Sequence, residues 1–205
     1  MTGVEAFERE IVVSRETLAQ LGRYEALLRK WNPAINLVSA ATLDVVWTRH
    51  FLDSAQLFEM AELKEGHWVD LGSGGGFPGL VIAILAFELP IRVTLVESDQ
   101  RKAAFLATVA RDLGLNVRVL AERAEKLPPQ GADILSARAL APLSTLLGFA
   151  ERHLAPSGTA LFPKGGAQQN EVIEAENHWT FEAQACSSRT DPAAVVLKIK
   201  GVSRV

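Results

Sequence analysis

The sequence contains a single cysteine, Cys186. An internal disulfide and a Cys-rich zinc site are therefore excluded, and a reducing cytosol is the expected compartment. No stretch of about 18 uncharged apolar residues occurs, the length that a membrane helix needs. The longest candidate, Phe77 to Phe87, is far shorter. Surplus positive charge is missing too: 21 Lys and Arg face 24 Asp and Glu, a net charge of −3. Dedicated nucleic-acid binders are more often basic, so an RNA partner would have to meet a local basic patch. The start, Met-Thr-Gly-Val-Glu-Ala-Phe-Glu, is acidic and lacks the basic opening of a signal peptide. No internal repeat, low-complexity run or Pro/Gly/Ser-rich linker divides the chain.

What is present is a globular composition. Of 205 residues, 48% are hydrophobic and 22% charged, which rules out a disordered chain. The length fits one compact domain with a modest extension. The character of the chain changes near Gly66, dividing an N-terminal helical cap (1–65) from an α/β unit (66–205). Ser14 can cap a helix running to about Trp31, with Leu18, Leu21, Leu28 and Trp31 at helical spacing. Asn32-Pro33 is expected to stop it. Thr42 can cap a second helix reaching towards Met60.

From Gly66 onwards strands and helices alternate. Strands are expected at 67–71, 92–97, 117–120, 132–136 and 159–163, with helices at 78–86, 99–113 and 142–152. Apolar runs at 180–185 and 194–199 suggest a terminal hairpin. This alternation predicts a Rossmann-like, mostly parallel seven-stranded sheet covered on both faces. Ligands in such sheets bind beyond the carboxyl ends of the strands, so the loops after Leu71, Glu97, Leu120, Ser136 and Phe162 should carry function.

The first of those loops is Gly72-Ser73-Gly74-Gly75-Gly76-Phe77-Pro78-Gly79, entered through Asp70. Two cofactor classes fit it. Gly74-x-Gly76-x-x-Gly79, with Glu97 eighteen residues further on, matches a dinucleotide fingerprint. Asp70-x-Gly72-x-Gly74-x-Gly76 matches S-adenosylmethionine binding instead. The second reading is preferred. A pyrophosphate needs free N–H groups at the helix start, Pro78 removes one, and the Asp70 carboxylate would repel phosphate. An ammonium and a sulfonium would suit the same loop. Glu97, ending the second strand, can accept hydrogen bonds from a ribose diol. After the third strand, Glu125 is placed to meet an adenine amine.

Several further segments carry a family resemblance: Trp31-Asn32 with Ile35-Asn36-Leu37-Val38-Ser39, Arg49-His50-Phe51-Leu52-Asp53-Ser54, and Asp70 to Gly79. Val96-Glu97-Ser98 with Arg101-Lys102, Arg123-Ala124-Glu125, Ser136-Ala137-Arg138-Ala139 and Lys164-Gly165 complete the set. Together they resemble the small-subunit ribosomal RNA methyltransferase G family (RsmG, also called GidB), over about Leu21 to Lys200. The glycine loop alone would imply only a class I methyltransferase; the helical-cap motifs are more specific. The resemblance implies methylation of N7 of one guanosine in bacterial 16S rRNA, with S-adenosylmethionine as donor. It also implies a cytoplasmic enzyme whose partner is 16S rRNA or the small subunit. Its cofactor positions fall on Gly72, Phe77, Ala124, Glu125 and Arg138, and Glu97 matches its acidic position. One departure is visible: the expected Ser-Arg-Ala triplet reads Ala137-Arg138-Ala139, so the hydroxyl before Arg138 is absent.

The chemistry is compatible with what the chain lacks. Guanine N7 carries an in-plane lone pair and no proton, so attack on a sulfonium methyl needs orientation rather than a base. Pyrimidine C5 methylation would need a cysteine nucleophile, and Cys186 falls in the terminal hairpin. The fourth strand ends in Ser136-Ala-Arg-Ala-Leu-Ala-Pro142, without the Asp/Asn-Pro-Pro-aromatic turn of amino-group methylation. Arg138 is the candidate orienter of substrate or cofactor. Lys164, Arg101 and Arg123 are candidate phosphate contacts. His50 and Asp53 share a helix face and are expected to pin the cap, as is Asn36. His67 and His153 are expected at the surface. No metal site and no membrane partner are read, and a monomer is expected. Two other classes remain as alternatives: an NAD-type oxidoreductase, and an rRNA-binding module without activity.

Overall fold

A computed structural model describes residues 3–166 and 168–205. The chain opens with α1 (Gly3–Glu10), α2 (Arg15–Ile35) and α3 (Ala40–Leu43). A turn of π-helix (Trp47–Leu52) follows and runs into α4 (Asp53–Ala61). Then come β1 (Gly66–Leu71), α5 (Gly79–Leu85), β2 (Ile91–Val96), α6 (Gln100–Asp112) and β3 (Val117–Leu120). A 3₁₀ turn (Ala124–Lys126) leads to β4 (Ala132–Ala137), α7 (Leu143–His153) and β5 (Leu154–Lys164). The chain closes with α8 (Gln168–Glu176), β6 (Trp179–Ser187) and β7 (Val195–Arg204). The seven strands form one sheet in the order β3-β2-β1-β4-β5-β7-β6. β1 to β5 are parallel, and β7 pairs antiparallel with both β5 and β6. This is the expected doubly covered, mostly parallel architecture. Among the described residues no helix is long and apolar enough to cross a membrane.

Each face of the sheet has its own apolar core. On one side Trp68, Leu80, Leu95 and Phe105 pack with Leu21, Tyr24, Leu28 and Phe51 of the N-terminal helices. On the other, Val69, Leu71, Leu135 and Phe162 pack with Leu143, Leu146, Leu147 and Trp179. Alternate residues of β1 thus serve opposite cores, as strand geometry requires. β1 is buried along nearly its whole length, so its carboxyl end is a fixed platform for the loop beyond it.

Local chemistry sets the helix ends. Ser14 caps α2 by accepting the Thr17 N–H at 3.1 Å. Asp99 caps α6 by accepting the N–H groups of Arg101 and Lys102. Several expected boundaries moved. α2 passes through Pro33 to Ile35, because Pro33 falls in its last turn. There the Asn32 side chain accepts the N–H groups of Leu37 and Val38, at 2.8 and 2.9 Å. The segment expected as one helix from Thr42 is broken in two, and Ser39, not Thr42, is the cap. β5, β6 and β7 are all longer than their apolar runs, because paired neighbours carry their polar ends. α1 and α8 were not legible as apolar stripes; each buries a single residue, Phe7 and Ala175.

Candidate functional site

A crevice of about 960 Å³ opens at the carboxyl ends of β1, β4 and β5. Its floor is the glycine loop: Gly72, Ser73, Gly74, Gly75 and Phe77. Its walls are Leu37, Val38, Arg49, His50 and Asp53 from the N-terminal helices, and Arg138 to Pro142 beyond β4. Lys164 and Gly165 close the far end. Gly72, Gly74 and Gly76 have φ of 65°, 55° and 97°, left-handed conformations that side-chain-bearing residues rarely adopt. Only Gly74 of the three is open, with the Gly72 carbonyl 3.8 Å from its Cβ position; Leu140 packs over Gly72, and Leu80 and the Tyr24 hydroxyl pack over Gly76.

The loop is tied down from beneath. The Asp70 carboxylate is fully buried. Its Oδ1 accepts the Ser136 hydroxyl at 2.7 Å and its Oδ2 accepts the Gly79 N–H at 3.2 Å. Trp68 Nε1–H donates to Ser136 Oγ in turn. Asp70 therefore lies under the loop and outside the crevice lining. Burial pushes its pKa up to about 6, against the opposing pull of Ser136, Ser73, Gly79 and Arg138. Glu97 sits behind the loop. Its Oε2 accepts the Gly74 N–H at 2.8 Å and its Oε1 accepts the Asp99 N–H at 2.7 Å. On a third side the Tyr24 hydroxyl donates to the Gly75 carbonyl.

Arg138 organises the opposite wall. Its Nη1 donates to Asp53 Oδ2 at 3.1 Å, and its Nη2 donates to His50 Nδ1 at 2.9 Å. The guanidinium lies 5.1 Å from the Phe77 ring centre, and His50 stacks on that ring at 4.7 Å. Because Nδ1 accepts, His50 is neutral with its proton on Nε2. Burial, then the charges of Arg138 and Arg49, push its pKa down to about 3. Asp53 also accepts the Thr190 hydroxyl at 2.8 Å and the Gln56 amide at 3.0 Å. Gln56 in turn binds Ser188 and the Arg189 N–H. So the β6–β7 loop reaches across to hold α4. The Asp53 N–H donates to the His50 carbonyl, and both side chains hold Arg138. Asn36 is exposed and ends α2 with φ 50°, so Asn32 does the local pinning.

The remaining expected residues divide. Phe77, Gly72, Gly74, Arg138 and Lys164 are brought together in the crevice, with Gly76 just behind it. Lys164 is already engaged: its Nζ donates to Glu171 Oε2 at 2.7 Å and to the Ala141 carbonyl at 3.2 Å. Ala124 is buried under the 3₁₀ turn. Glu125 lines a separate cleft with Arg152, Trp179 and Arg204. Arg101 is exposed and paired with Asp99, and Arg123 is exposed beside Glu125. His67 and His153 are buried rather than superficial, His67 on Thr94 and His153 on the Ala124 carbonyl. Each sits on a position that its element turns inward, which residue type alone does not reveal. Sequence reasoning missed Tyr24, Gln56 and Thr190, since no local signal links residues 51 to 137 positions from their partners. No group of three or more His, Cys, Asp or Glu among the described residues could hold a metal.

Acidification should loosen this wall. The unfolded chain protonates His50 near pH 6.5, whereas the folded chain holds it neutral down to about pH 3. Stability from this group is complete above pH 6.5 and is lost as pH falls below it. Asp70 runs the other way: its contribution is lost as pH rises from about 4 towards 6. His67 and His153, both shifted down by burial, add to the acid loss. Thermal midpoints at pH 5 and 7.5 should differ less in His50→Asn than in the parent. An equal difference would remove His50 from the acid limb.

Comparison with known proteins gives the geometry a family. The profile of GidB, rRNA small subunit methyltransferase G, matches residues 17–192. The chain belongs to this family. It is 54% identical over 198 residues to the ribosomal RNA small subunit methyltransferase G of Ruegeria sp. (strain TM1040), covering 96% of each chain. It is 56% identical to the namesake of Ruegeria pomeroyi, covering 94% of this chain and 95% of that one. Among solved structures, a SAM-dependent methyltransferase from Aquifex aeolicus matches with a TM-score of 0.61 at 15% identity, covering 86% and 98%. Precorrin-6y C5,15-methyltransferase from Geobacter metallireducens matches with a TM-score of 0.54 at 13% identity, covering 82% and 92%. At those identities the likeness concerns the fold, which is the class I methyltransferase fold.

Proposed function

We propose that this family member transfers a methyl group from S-adenosylmethionine to N7 of one guanosine in bacterial 16S rRNA, as a cytoplasmic monomer. The observation that carries the choice of donor is the buried Asp70 carboxylate under the start of α5. It already accepts the Gly79 N–H, and Pro78 has no N–H to give, so the helix start has little to offer a diphosphate. The open backbone at Gly74 suits a donor that must approach the main chain closely. The relatives' names support the RNA substrate.

The bound donor supplies an electrophilic methyl carbon on a sulfonium. The guanine N7 lone pair forms the new bond to that carbon as the carbon–sulfur bond breaks. No proton leaves N7, so no general base is required, and a His50 held neutral and without acid function is compatible with that. The chain's part is orientation, worth most when the reacting atoms are held at about 3 to 3.5 Å. Glu97 does not line the crevice and is assigned to the ribose diol by its place at the end of β2, each oxygen having one lone pair beyond those that take the Gly74 and Asp99 N–H groups. Phe77 and Arg138 set the position of the reacting groups, and residues 1–65 close over residues 66–205 as a cap on one compact unit. Ala124 and Glu125 do not line this crevice, and their assignment to the adenine end rests on their place in the turn beyond β3.

Glu97→Ala should weaken donor binding by about 1 to 3 kcal/mol, since it strands the Gly74 and Asp99 N–H groups as well as the ribose. Calorimetry that returns the parent dissociation constant would take Glu97 out of the site. For the function itself, 7-methylguanosine should be mapped in 16S rRNA from cells with and without this chain. One position should lose its methyl group in the deletion. Identical maps, with no label transferred to rRNA or small subunits in vitro, would overturn the proposal. Tight binding of NAD(H) in place of S-adenosylmethionine would favour an oxidoreductase.

A further inference from the structure

Three cations line the crevice: Arg49, Arg138 and Lys164. Two are already spent. Arg138 is bound to Asp53 and His50. Lys164 is bound to Glu171 and the Ala141 carbonyl, with its side chain only 10% exposed. Arg49 is exposed and, among the described residues, its guanidinium has no acid or carbonyl partner. It is not a distant surface charge, because it lines the crevice with Leu37, Val38 and His50. It lies in the π-helical turn, although its own N–H makes an α-type bond to the Val45 carbonyl at 2.8 Å. Arg49 is exposed at the rim while its buried neighbour His50 faces Arg138. π-turns recur at functional positions because they re-aim side chains without ending the helix.

The acids near the mouth are distributed unevenly. Asp53 and Glu171 are neutralised by Arg138 and Lys164. Asp191 lies on the β6–β7 side, where it accepts the Ala193 N–H. A polyanion is therefore repelled on the Asp191 side and attracted on the side of the N-terminal helices. The crevice, at about 960 Å³, is at the upper end of the range for a small-molecule pocket. That leaves room for a nucleobase beside the donor. Leu37, Val38, Leu140 and Leu146 in its walls cannot solvate a phosphate, so the phosphates flanking a bound base must stay at the rim.

We propose that Arg49 is the phosphate clamp of the target strand, and that the RNA backbone crosses the N-terminal helices between Ser39 and Arg49. This rests on the RNA-methylating reading above and assigns its strand-holding cation. Lys164, Arg101 and Arg123, the contacts expected from sequence, are then not the main clamp. An arginine fork binds phosphate through two parallel N–H groups. Its removal should act on RNA binding and spare the donor.

The test compares Arg49→Ala and Arg49→Glu with Arg111→Glu, which makes the same charge change as the second on an exposed residue late in α6. Small ribosomal subunits from cells lacking this chain serve as substrate. Arg49→Ala should raise KM for subunits by about tenfold, the loss of one charge-assisted contact. Its log–log salt slope should fall by about one, with kcat and donor affinity near parent values. Arg49→Glu should be worse, and Arg111→Glu should match the parent. An unchanged KM and salt slope in Arg49→Ala, or equal losses in the two Glu variants, would overturn the assignment. So would a loss confined to donor binding. If the parent transfers no methyl group, the functional reading fails on its own. Salt-dependent binding of 16S rRNA to the same variants then still decides the clamp.

Discussion

Arg138→Ala is expected to reduce methyl transfer to small-subunit RNA by about a hundredfold or more, the scale seen when one preorganised donor is removed from an active site. Arg138 joins the glycine loop, through Phe77, to the N-terminal helices, through His50 and Asp53, and so reinforces the direct stacking of His50 on Phe77. Its loss leaves Asp53 as a buried carboxylate without its cation. Breaking such a pair from one side costs about 3 to 5 kcal/mol when fully buried. Here the side chains are 20% and 11% exposed, so the lower end applies and the thermal midpoint should fall too. Arg138→Lys separates the two effects. A single ammonium can reach Asp53 or His50 but cannot fork to both, so stability should largely return while turnover stays low. Parent-like turnover in Arg138→Lys would make the residue a structural cation and nothing more.

Gly79→Ala should be the most damaging of the loop substitutions. A Cβ there would collide with Leu95 and lie 2.8 Å from Asp70 Oδ2 and 3.0 Å from Asp70 Cβ. Neither neighbour can give way: Leu95 is in the core of β2 and Asp70 is held by Ser136. α5 would have to lift off the sheet. Overpacking of this kind costs about 3 kcal/mol. For a chain of this size that is roughly 6 to 12 °C in Tm. The donor dissociation constant should rise by at least about tenfold, equivalent to about 1.4 kcal/mol, because the loop moves with the helix. Gly22→Ala is the matched control. Nothing lies within 4 Å of its Cβ position in α2, so alanine there should add about 1 kcal/mol of stability. Equal midpoints in the two variants would show that Gly79 is not a contact point between α5 and β1.

The α/β unit was largely legible because its strands are short, apolar and punctuated. β3 matches its expected bounds, and β1, β2 and β4 differ by a residue or so. The loop at Gly72–Gly79 declared itself because glycine clusters of that kind rarely occur without a backbone reason. The N-terminal segment was harder. A π-turn has no apolar period of its own, so the interruption at Trp47–Leu52 was hidden inside a helical pattern. Glu97 and Arg138 were found at strand ends, where topology puts ligands. Which oxygens or nitrogens they use was not legible, because Gly74, Asp53 and His50 approach them from other parts of the chain. The histidines show the same limit: His67 and His153 face inward only because of the register of β1 and the roll of α7.

The clasp between the β6–β7 loop and α4 has a temporal consequence. Thr190 and Asp53 are 137 residues apart in sequence. During synthesis the glycine loop and the helices around it emerge long before the hydroxyl that completes the Asp53 shell. A partly made chain therefore has a donor cradle without a finished opposite wall, and maturation of the catalytic geometry waits for the last strands to dock.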